Sequence, residues 1–245
     1  MGFSLTGLAY FLNLFSAGFL TYRFLQYWKK EGTLVAKIFF YFMAVFSIFF
    51  SVTAIPTLFL AKSTLALRIA DISTAFLEGV AGALLGCLIA YLWLKKISPW
   101  LGFIVPLVLG IIATVLLILF PPSPFLESDL SINWGDQGAA DIFRSLIYLI
   151  TFLPMAFILV GQYLKASNPY AKSRALGMWV IFAFSMIVAL LDYGVEKIFH
   201  LRPVTSDISQ IILSIFLFIF LLITQRSPQE AGEERLPVGY SRTVR

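Results

Sequence analysis

Arg68, Asp71, Thr74 and Glu78 follow one another at spacings of three, three and four residues. On an α-helix those steps put all four side chains on one face. The run around them is apolar, so this face carries ionisable groups where each is costly unless it is paired or wet. Glu78 is the deepest of them. A carboxyl at that depth can exchange a proton, or hold a cation or an amine. Farther along, Asp192 stands near Tyr193, Glu196 and Lys197, Asp207 near Ser206, Ser209 and Gln210, and Arg144 opens another apolar run. The expected ligand- or ion-binding set is Arg68, Asp71, Glu78, Asp192 and Asp207. It lies in a polar cavity open to the outside, with Asp71 and Asp207 facing each other and Arg68 tuning them. The competing reading is a structural salt-bridge network at the outer interface, with a neutral Glu78 bonded to a neighbour.

The elements that must position these groups are membrane-spanning helices. Of 245 residues, 60% are hydrophobic and 13% charged, about half the charged share of a soluble domain. Lipid is the solvent that suits such a chain. Apolar runs at about 5–27, 34–60, 66–94, 99–120, 142–164, 173–193 and 206–225 are each long enough to span. The expected fold is therefore all-α: a polytopic bundle of seven transmembrane helices (1–225) with a flexible cytoplasmic tail (226–245). Thirteen of the eighteen Lys and Arg residues, among them Lys29, Lys30, Lys95, Lys96, Lys165 and Lys172, fall at one set of helix ends. Lys62, Arg68, Arg144, Lys197 and Arg202 fall at the other. Positive charge stays in the cytoplasm, so the N-terminus is expected outside and the C-terminus inside, in the cell membrane. Trp28, Tyr91, Trp93, Trp100 and Tyr163 cluster near the basic ends as an interfacial belt.

Residues 121–141 form the longest outer loop, with Glu127, Asp129, Asp136 and Asp141 and no basic residue. It is a solvated loop or a partner contact. Gly79, Gly82 and Gly86 continue the Glu78 face and allow close helix approach or leave space for a ligand. Asn13, Ser16, Ser47 and Ser214 are expected to hydrogen-bond between helices. An internal repeat is hinted at. Gln26-Tyr27-Trp28-Lys29 echoes Gln162-Tyr163-Leu164-Lys165, and Asp71-Ile72-Ser73 echoes Asp207-Ile208-Ser209, both at an offset of 136 residues. Three helices, one linking helix and three more would keep two such copies parallel.

Several functions are excluded. Cys87 is the only cysteine and His200 the only histidine, so an intrachain disulfide, a bis-histidine haem and a histidine-rich metal site are not expected. The net charge of +5 lies in loops between apolar runs and does not form a nucleic-acid face. No hydrolase, zinc-protease or phosphate-loop motif is present, so an enzyme is not expected, although a carboxylate-only intramembrane enzyme stays open. Arg68-x-Ala70-Asp71 with Asp207-x-Ser209 resembles the paired counter-ion pattern of microbial rhodopsins. Ile211 stands where that resemblance would require the retinal-binding lysine, and the seventh run has no lysine, so a retinal Schiff base is excluded. A three-one-three plan resembles the sugar transporters built of two triple-helix bundles, in architecture alone, since their Pro-Gln signature is absent. The expected function is transport of a small solute or ion through a polar site between two bundles. The alternatives are a non-catalytic subunit of a larger membrane complex, docking through loop 121–141 or its lipid-facing helices, and a seven-helix sensor without its own output domain. The bilayer is the expected partner, and no cofactor is expected.

Overall fold

The computed structural model describes residues 3–94, 96, 98–190 and 203–224. The expected tail and Asp192 lie outside these residues. Seven helices are described: α1 (Leu5–Glu31), α2 (Leu34–Phe59), α3 (Thr64–Leu92), α4 (Pro99–Leu119), α5 (Ala139–Lys165), α6 (Pro169–Leu190) and α7 (Pro203–Thr224). Six of them, α1 to α5 and α7, are long and apolar enough to cross a membrane. Among the described residues the fold is all-helical apart from one small hairpin, and its helices are those of an integral membrane protein.

Local sequence explains the helix ends. Ser4, Thr33 and Ser63 are N-caps whose hydroxyls accept from Gly7, Ala36 and Ala66 N–H, which satisfies donors the first turn leaves orphaned. Gly32, at φ 65°, closes α1 in the left-handed region, where a glycine carries no Cβ penalty. α5 starts before the apolar run expected at 142. Asp141 and Arg144 belong to the helix and are buried; for Arg144 the reason is that Asp71 and Glu78 of α3 wait for it inside the bundle.

Neighbouring helices pair as α1–α2, α2–α3, α3–α5, α5–α6, α6–α7 and α7–α1. That sequence of pairs closes a ring of six helices. α4 stands outside the ring, against α3 and α5. Glycines decide this docking. A Cβ on Gly79 would stand 2.7 Å from Gly110 Cα, and one on Gly86 would collide with the Gly102 carbonyl oxygen. Of the two roles open to the α3 glycines, close helix approach is the one realised. The far face of α4 leaves Trp100, Leu101, Ile104, Val108 and Ile111 exposed, as lipid contact requires.

The α2–α3 turn, the segment 120–138 and the first residues of α1 and α7 gather at one end, here the loop end. β1 (Phe125–Leu126) pairs antiparallel with β2 (Ile132–Asn133). Leu5 N–H donates to Leu130 C=O (2.8 Å) and Ile132 N–H to Thr6 Oγ1 (2.8 Å), so the hairpin is tied to the start of α1. The loop acids serve the loop itself. Asp129 accepts from Ser131, Glu127 from Asn133 and Asp136 from Gly138 N–H. At the opposite, basic end the cations lie over aromatic rings: Arg174 is 3.7 Å from the Tyr27 ring centroid and Lys172 4.9 Å from that of Tyr163. These contacts join the basic residues to the aromatic belt.

Candidate binding site

α3 enters at the loop end, and Glu78 lies fourteen residues after Thr64, about 21 Å along the helix axis. Asp71 precedes it by two turns on the same face. Both are buried, at 3% and 2% exposure. Their common partner is Arg144 of α5, itself 4% exposed. Arg144 grips Glu78 with two hydrogen bonds, Nε to Oε2 at 2.7 Å and Nη2 to Oε1 at 2.9 Å. Its Nη1 donates to Asp71 Oδ1 at 2.9 Å. The bidentate fork suits a planar guanidinium and fixes its orientation. Gln137 closes the group from the loop: its Oε1 accepts from Arg144 Nη1 (2.7 Å) and its Nε2 donates to Asp71 Oδ2 (3.0 Å). Tyr148, one turn beyond Arg144, donates its hydroxyl to Glu78 Oε1 at 3.2 Å.

The expected set is therefore divided. Asp71 and Glu78 come together. Arg68 does not join them: its Nε donates to Pro122 C=O at 3.0 Å, which pins the loop. Asp207 does not face Asp71. Its Oδ2 accepts from Thr6 Oγ1 at 2.6 Å, so it serves the α7–α1 junction and, through Thr6, the hairpin. Asp192 lies outside the described residues. Thr74 donates to Asp71 C=O within its own helix. Arg144, Gln137 and Tyr148 are the site residues the spacing argument missed. One signal was available for Arg144: no other Lys or Arg occurs between Lys96 and Lys165, and a lone cation in an apolar helix must find acids elsewhere.

Behind Glu78 lies a cavity of about 80 Å³ within the six-helix ring. Every helix except α4 contributes to its wall. Eight aromatic rings line it, among them Tyr10, Phe46, Phe50, Tyr148 and Phe152. Glu78, Asn13, Ser16, Ser185, Gln210 and the two tyrosine hydroxyls supply the polar atoms. Asn13 Oδ1 accepts from Ser214 Oγ at 2.9 Å, joining α1 to α7. Ser16 is 4% exposed, and its Oγ has no hydrogen-bond partner. A buried hydroxyl with no partner is rare enough to need a reason.

A second, wider cavity of about 770 Å³ lies at the basic end, with Glu31, Lys165 and Arg174 in its wall. Along each shared helix its residues sit nearer the basic end than those of the first. On α2 the wide cavity takes 35–39 and the central one 42–50. On α6 it takes 171–178 and the central one 181–185. Where the two approach each other, Phe24 stacks on Phe39 (5.1 Å) in the wall of the wide cavity and Phe42 of the central wall stacks on Phe182 (5.8 Å). The chain matches no protein-family model, no curated protein and no solved structure.

Proposed function

We propose that this protein carries a small solute across the cell membrane by alternating access, without chemical conversion. The observation that supports this best is the order of sites along the ring. A small central cavity has Glu78 in its wall, and the Asp71–Arg144–Glu78 cluster with Gln137 stands on its loop side. Stacked rings, Phe24 on Phe39 and Phe42 on Phe182, lie toward a wide cavity at the basic end. The excess of Lys and Arg at that end assigns it to the cytoplasm, with the N-terminus outside. In this reading the wide cavity is the inward-facing vestibule of the central site.

The reading takes the chain as seven spans in a three-one-three plan. A half-turn that exchanges α1, α2 and α3 for α5, α6 and α7 maps each neighbouring pair of the ring onto another pair and leaves α4 as the link. Under it Asp71, at the α3–α5 junction, corresponds to Asp207, at the α7–α1 junction. Rocking two such halves about a central site is how repeat-built transporters work.

Labelling of a single cysteine tests the proposal. In a Cys87→Ser background, Ser185→Cys puts a thiol in the central cavity wall. In proteoliposomes a membrane-impermeant maleimide should reach it from both sides, faster from the basic side. Access from one side only, in every condition, defeats transport. Access from the loop side only would point to a sensor instead.

A further inference from the structure

We infer that the central cavity selects a small primary ammonium ion, a short alkylamine in its charged form. This inference deepens the transport reading and rests on it. Charge comes first. Two buried carboxylates, Asp71 and Glu78, share one guanidinium, which leaves a formal charge of −1 when both are ionised. Asp141, 7% exposed, adds a third acid near Asp71. A net negative charge in a low-dielectric interior repels anions and is relieved by a cation.

The wall supplies the rest of the recognition. Aromatic faces attract an ammonium group through their quadrupole, and the attraction grows when water is excluded. They also accept a short alkyl chain. An ammonium carries three N–H donors and no acceptor. Ser16 Oγ, buried and without a partner, is an acceptor in the same wall as Glu78. Size sets the limit. At about 80 Å³ the cavity is smaller than the roughly 150 Å³ apolar cavity that takes benzene. A ligand of two or three carbons fits, and a bulky quaternary ion does not. A sugar is disfavoured because apolar side chains, which cannot pair its many hydroxyls, make up most of the wall.

Calorimetric titration of the full chain in lipid nanodiscs tests this with ethylammonium, acetate and tetraethylammonium. Ethylammonium should bind saturably, and the other two should show no saturable heat. Glu78→Gln should weaken ethylammonium binding at least tenfold. Phe46→Leu keeps an apolar side chain but removes a ring face, and should weaken it several-fold, as should Ser16→Ala. Glu78→Gln disturbs the Arg144 fork, so the other two variants decide the matter if it fails to fold. Absence of ethylammonium binding, equal binding of acetate, or binding that none of the variants alters would overturn the assignment. Ethylammonium binding with one-sided cysteine labelling would keep the ligand class and end the transport reading. Two-sided labelling without ethylammonium binding would end the ligand class alone.

Discussion

Replacing Arg144 with methionine is the sharpest perturbation this architecture offers. The side chain is of similar length and apolar, so the volume change is modest. What is lost is a cation that holds Asp71 and Glu78 through three hydrogen bonds of 2.7–2.9 Å. Both carboxylates stay buried, and the formal charge of the group falls from −1 to −2. Removing one partner of a buried pair costs about 3–5 kcal/mol, since the remaining charge is uncompensated. The variant Glu78→Gln brings the formal charge to zero and leaves the Arg144–Asp71 pair. It should cost less, about 1–3 kcal/mol for the altered hydrogen bonds. The triple variant Arg144→Met, Glu78→Gln, Asp71→Asn removes all three charges of the group, leaving Asp141 as the neighbouring acid, and should recover most of the loss. Reversible unfolding in bicelles, followed by steric trapping, measures all three. The reasoning is refuted if Arg144→Met loses under about 1 kcal/mol, or if the triple variant is less stable than the single one.

Other consequences are more local. Gly79→Ala would drive a methyl against the Gly110 backbone, 2.7 Å away, and should destabilise by about 1–3 kcal/mol. Gly18→Ala meets nothing within 4 Å and should stabilise by about 0.5–1 kcal/mol; the same unfolding assay separates them. Thr6→Val removes the hydroxyl that donates to Asp207 and accepts from Ile132 N–H, and should cost about 1–3 kcal/mol and speed proteolysis of segment 120–138. Leu130 holds φ 68°, a conformation that costs a non-glycine residue about 1–2 kcal/mol. Leu130→Gly should raise the thermal midpoint, and a fall would show that its side chain anchors the hairpin. Ser16→Ala deletes a hydroxyl with no partner and should leave stability within about 0.5 kcal/mol while weakening ethylammonium binding.

Much of this molecule is legible without coordinates, and the reason is the solvent. In lipid every backbone polar group must be satisfied within its own segment, so the apolar runs alone locate the helices to within a few residues. The caps at Ser4, Thr33, Ser63 and Gly32 came only with the structure. The cost of buried charge singles out Asp71 and Glu78. Their partner is another matter. Arg144 lies 73 and 66 residues away from them, and it reaches both only because α5 packs beside α3. Arg68 shares their helical spacing yet turns to the Pro122 carbonyl, because the loop passes over it. Asp207 matches Asp71 in sequence context but meets Thr6, because α7 borders α1. Helical periodicity assigns residues to a face. Which neighbour that face meets, and whether a ring of helices leaves a cavity at its centre, depends on packing summed over the whole chain, and tertiary structure alone decided it.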